Sequence, residues 1–121
     1  MTQNESALIL SATDNLFTRL EAPALYVQIQ AYRRILSAEN CRDVPFRKAL
    51  SAYIEDVFTP VMDAIGKNRA LRKTVKQMGV SFIYLQITEE LSDVKNITRE
   101  SYLALVERKT ECYLNAAENS Q

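Results

Sequence analysis

Only two glycines and three prolines punctuate this chain of 121 residues, where average usage would place roughly fourteen of the two together. Turns that need a positive or a preset φ are therefore scarce, and the chain has to cover its length in helices joined by a few short connections. Apolar residues make up 47% of it, enough to bury a core in a chain of one-domain size without disulfides or a metal. The expectation is an all-α single domain over residues 1–121, a bundle of about five mostly antiparallel helices. Its ends, near 1–4 and 118–121, are expected to fray.

Periodicity places the helices. Between Glu5 and Leu20, apolar residues fall at Leu8, Ile9, Ala12, Leu16, Phe17 and Leu20, the three-and-four spacing of one helical stripe. Pro23 suits the first turn of a second helix, whose stripe is Leu25, Ile29, Tyr32 and Leu36. After a break at 40–43, Asp43 is placed to cap a third helix and Pro45 to sit in its first turn. That stripe runs from Phe46 through Leu50, Tyr53, Val57 and Val61 to Ile65, and Gly66 reads as its stop. Pro60 inside it removes one hydrogen bond and predicts a kink or a break. Thr98 is placed to cap a last helix reaching about Ala117, with the stripe Tyr102, Val106, Tyr113 and Ala117.

Residues 69–92 admit two readings. Leu71, Val75, Met78, Phe82 and Leu85 keep the helical spacing straight through Gly79, and a mid-helix glycine costs only about 1 kcal/mol. One continuous helix is the favoured expectation. Its second stripe, Val80, Ile83, Ile87 and Leu91, makes it apolar on two sides, as the most buried helix of a bundle or one that also meets another subunit. Alternatively, Gly79-Val80-Ser81 after a basic helix resembles the turn of a helix-turn-helix. That resemblance implies DNA binding, although the surface facing bases would then present Phe82, Ile83, Gln86, Ile87 and Glu90, which suit neither base edges nor phosphates. A third option for 80–87, rich in β-branched and aromatic residues, is a short strand.

The chain contains no histidine, which removes the commonest general base, the usual triad partner and the commonest nitrogen ligand for zinc. No glycine-rich phosphate loop is present, and the acids at Glu55, Asp56, Glu89, Glu90 and Asp93 read as a solvated surface. No catalytic residue, metal or cofactor is expected. Cys41 and Cys112 follow no ligand spacing and read as free thiols of a reducing, cytoplasmic compartment, with Cys112 a small buried hydrophobe. No stretch has the roughly 18 apolar residues that would suit a membrane span.

Charge is balanced overall at 15 bases and 15 acids but unevenly spread. Residues 67–88 hold Lys67, Arg69, Arg72, Lys73 and Lys76 without an acid, while 89–121 hold seven acids against four bases. The basic run reads either as a wet face paired with acids of another helix or as a patch for phosphate or an acidic partner. By elimination, the expected role is a non-enzymatic regulatory or adaptor protein that self-associates, as a dimer, or binds a protein partner, with Val80, Ile83, Tyr84, Ile87 and Leu91 as contact residues. A small dimeric DNA-binding regulator using the basic run is the second reading, and a small-ligand-binding helical protein the third.

Overall fold

The computed structural model describes residues 1–119. The described residues are all-α, without a strand: α1 (Gln3–Ala12), α2 (Ala22–Asn40), α3 (Phe46–Tyr53), α4 (Thr59–Lys67), α5 (Arg72–Met78), α6 (Val80–Thr88) and α7 (Arg99–Asn119). Single 3-10 turns stand at Arg69–Leu71 and Leu91–Asp93, and a π-helical turn, Ile54–Phe58, joins α3 and α4 into one rod. Counted as rods there are six, one more than the periodicity predicts.

Local hydrogen bonds and backbone angles mark several of the helix ends. The start of α1 is held by a reciprocal pair: Glu5 N–H donates to Thr2 Oγ1 at 3.0 Å and Thr2 N–H to Glu5 Oε1 at 2.8 Å. Two of the orphan donors of a helix start are satisfied this way. The helix does not reach Leu20. Thr13 turns its hydroxyl back to the Ile9 carbonyl at 2.9 Å, and Asp14 and Asn15 take left-handed conformations, φ 51° and 58°, which their short polar side chains tolerate. The same pairing recurs between Thr18 and Glu21, leading into α2, while Phe17 is buried from the loop itself.

Asp43 does not cap α3. The entry is set by Ser37, whose Oγ accepts the Val44 N–H at 3.0 Å, and by Arg33, whose Nε donates to the Val44 carbonyl at 2.6 Å. Gly66 does not stop α4 either; the helix runs through Lys67 and ends at Asn68, φ −90° and ψ 110°. Pro60 does not break the helix; the helix accommodates it with a π turn. The proline has no N–H for the carbonyl of Asp56, four residues back, and the chain widens just before it, Thr59 N–H reaching Ile54 O, five back.

The continuous helix predicted over 69–92 is corrected at Gly79. Its φ of 86° and ψ of 153° lie in a region that essentially only glycine enters, so α5 and α6 are separate helices. Gly79 is thus a turn between a basic and an apolar helix, as the helix-turn-helix alternative has it, although it alone separates them where that motif uses a turn of about three or four residues. Burial is equally divided: α5 has no buried residue, whereas α6 buries Ile83, Tyr84, Ile87 and Thr88. Periodicity ran on through Gly79 because both helices use the same apolar spacing; only the backbone angle separates them. Gly79→Ala is accordingly expected to destabilise the protein by about 2 kcal/mol in urea unfolding, whereas a mid-helix glycine would gain stability from alanine.

The core holds four fully enclosed tyrosines, Tyr32, Tyr53, Tyr84 and Tyr102. Tyr32 packs on Tyr102 with ring centroids 5.3 Å apart, and Phe17 and Phe58 close on Tyr84 at 5.6 and 5.3 Å. Buried hydroxyls need partners, and α2 supplies one in Gln28. Tyr53 donates to Gln28 Oε1 at 2.8 Å, Gln28 Nε2 donates to Thr88 Oγ1 at 2.9 Å, and Thr88 donates to the Tyr84 carbonyl at 3.0 Å. Because Tyr53 has one proton and spends it on Gln28, the 2.5 Å contact between Tyr53 and Tyr84 has Tyr84 as donor. The result is a directed circuit linking α2, α3 and α6. Only the Tyr102 hydroxyl, among these four, has no partner.

Candidate functional site

The basic run becomes a defined surface between two breaks in the backbone. Asn68 ends α4 and is tied to the last turns of α7, its Nδ2 donating to Glu118 Oε1 at 3.1 Å. Gly79 ends α5. Between them, Leu71 is buried and turns one side of the segment inward; helical spacing puts Arg72, Lys73 and Lys76 on the other. Lys67, Arg69, Arg72, Lys73 and Lys76 are all exposed. Among the described residues, the ion pairs are Arg33–Asp43, Arg99–Glu39, Arg99–Asp56 and Lys109–Glu90. None of the five bases has an acid of the described residues within 4.0 Å, so the expectation that another helix neutralises them is not met there.

The stripe expected to face a partner lies inside the protein instead. Ile83, Tyr84 and Leu91 are completely enclosed, Ile87 is buried and Val80 is half-buried. The excess of apolar residues on α6 is absorbed by the chain's own core, with Tyr84 at the centre of its aromatic cluster. What remains exposed near the α5–α6 elbow is Met78 and Phe82. Cys41 and Cys112 are free and both exposed, which corrects the buried placement of Cys112.

A second polar cluster has no counterpart in the sequence reading. Arg99, the first residue of α7, donates from Nη2 to Asp56 Oδ2 at 2.7 Å and from Nε to the Tyr32 hydroxyl at 3.1 Å. Tyr32 in turn donates to Asp56 Oδ2 at 2.5 Å. Burial, then the Asp56 hydrogen bond, pushes the Tyr32 hydroxyl well above the ordinary tyrosine range, and the Asp56 and Tyr32 contacts hold Arg99 in its charged form. Charge-assisted bonds of this kind fix geometry, and this set joins α2, the π turn and α7. Asp56 is committed to two donors, so the cluster serves as a clamp. Its signal in the sequence was only Pro60, which forces the wide turn that carries Asp56.

Open grooves line the surface. One of them, about 810 Å³, runs between α2 and residues 94–98, with Ala31, Ile35, Ala38, Val94 and Ile97 flanked by Arg34 and Lys95. No group of three or more potential metal-ligating side chains occurs among the described residues, and none of their helices is long and apolar enough to cross a membrane. No protein-family model matches this sequence, and no curated protein and no solved structure matches it.

Proposed function

We propose that this chain is a non-enzymatic regulatory or adaptor protein that works by contact, engaging an acidic partner through the exposed basic face of α5. One observation carries the reading: the five neighbouring cations of residues 67–76 reach solvent with no acid among the described residues to pair with. Concentrated charge of one sign steers and orients an oppositely charged partner more than it stabilises a fold. The contact belongs to α5 and not to α6, whose apolar residues are used in the core. The DNA-binding alternative would rest on phosphate contacts alone, since a base-reading helix must enter the groove and α6 turns only residues such as Phe82 and Gln86 outward.

The test is a titration with poly-L-glutamate at low salt, following backbone amide signals. Shifts are expected over residues 67–76 and should weaken about tenfold or more in Arg72→Glu with Lys76→Glu. Shifts confined elsewhere, or an affinity indifferent to the reversal, sink the proposal. A short DNA duplex that binds more tightly than poly-L-glutamate, with a steep salt dependence, replaces it by the phosphate-contacting alternative.

A further inference from the structure

α7 carries the opposite charge in the same unpaired state. Glu100, Glu107 and Glu111 stand at intervals of seven and four residues, which gathers them along one outer stripe of the helix. All three are exposed, and none has a base within 4.0 Å among the described residues. Among the described residues, the acid–base pair reaching α7 from its second turn onward is Lys109–Glu90, and Lys109 lies on the opposite side of that helix from the stripe.

The two faces also adjoin. The Asn68–Glu118 hydrogen bond places the end of α7 beside the start of the basic segment, so a positive and a negative surface meet at one boundary. A surface of that kind is complementary to itself under a two-fold axis: rotation about the boundary sets each half against the opposite half of a second copy. Spacing agrees. Arg72 and Lys76 are one i,i+4 step apart, as are Glu107 and Glu111, so each pair spans about 6 Å of helix.

We infer that the acidic partner of α5 is a second copy of this chain, docked reciprocally so that Arg72 and Lys76 of one molecule face Glu107 and Glu111 of the other. The inference rests on the contact function just proposed and names its partner. Built from exposed charges, the dimer is weak and salt-sensitive, a reversible association.

Solution mass by light scattering tests it with the full chain. The native protein is expected to shift from dimer toward monomer between about 20 mM and about 500 mM salt, its dissociation constant rising about tenfold or more. Arg72→Glu with Lys76→Glu is expected to be monomeric at low salt, as is Glu107→Lys with Glu111→Lys. Mixing the two variants restores both contacts of the two-fold arrangement, so the mixture dimerises, and so does the fourfold variant alone. All four positions are solvent-exposed, and a circular dichroism melt verifies that each variant is folded. A native monomer at all salts overturns the inference, as does a dimer indifferent to either reversal or a mixture that stays monomeric. If poly-L-glutamate still shifts residues 67–76 in that event, the contact function survives with a different partner; if it does not, both fall.

Discussion

Gln28→Leu is expected to lower the free energy of unfolding by about 3 kcal/mol, although leucine fits the helix and the apolar surroundings. Gln28 is the one side chain that both accepts from Tyr53 and donates to Thr88. Removing it leaves one proton of the Tyr53–Tyr84 hydroxyl pair without an acceptor, and the Thr88 oxygen without the donor it accepts from, among enclosed side chains. A buried polar group stripped of its partner costs about 1–3 kcal/mol, and here two are affected. The same core contains its own control. Tyr102 has no hydrogen-bond partner to lose, so Tyr102→Phe keeps the ring packing against Tyr32 and removes only a desolvated hydroxyl. It is expected to be neutral or stabilising by up to about 1 kcal/mol. Urea unfolding of both variants decides the matter: equal destabilisation would mean that the circuit contributes nothing beyond packing.

Alkali is expected to unfold the protein cooperatively, within roughly one to four pH units above pH 10. Burial raises the hydroxyl of Tyr102 to about 12 and those of Tyr53 and Tyr84 well above their usual range. In the folded state these groups stay protonated where the unfolded chain would have released its protons. The unfolded state therefore binds fewer protons above pH 10, and stability falls as pH rises. It is fully present below that point and drains away through the folded-state values. Three such groups remove about 4 kcal/mol per pH unit, against a total stability of about 5–15 kcal/mol for a domain of this kind. Helical circular dichroism should hold steady to about pH 10 and collapse together with the rise in tyrosinate absorbance. Tyrosinate appearing in full while the helices persist would contradict it.

Much of this fold was legible from periodicity because apolar stripes and core coincide. Leu25, Ile29, Tyr32, Leu50, Tyr53, Val57, Val61, Ile65, Tyr102 and Val106 are all buried where their spacing puts them. Helix ends were harder, since they depend on local hydrogen bonds that compete with helix continuation: Thr13 back-bonding to Ile9, Asp14 and Asn15 turning left-handed, Ser37 rather than Asp43 setting the entry to α3. Gly79 is visible in the sequence but its role as a turn is not, because a period counts residues and is blind to a backbone angle. The polar core left a faint trace in the sequence. Gln28 interrupts the stripe of α2 between Leu25 and Ile29, and Thr88 follows Ile87, which are the places where a polar residue inside an apolar pattern has to find a partner. The basic run was visible as charge; that it stands unpaired was not, since pairing depends on which distant acids the fold brings near.

The π turn at Ile54–Phe58 has a consequence for how the chain tolerates insertion and deletion. A π turn amounts to one additional residue within an otherwise regular helix, so it sets the rotational phase of everything after it. Deleting one residue there would rotate the following helix by about 100° relative to α3. Val61 and Ile65, now in the core, would sweep toward solvent, while Pro60 would again meet a carbonyl it cannot bond. The two halves of this rod are in register with the core only as a pair, and a change of length within it has to be matched by a second.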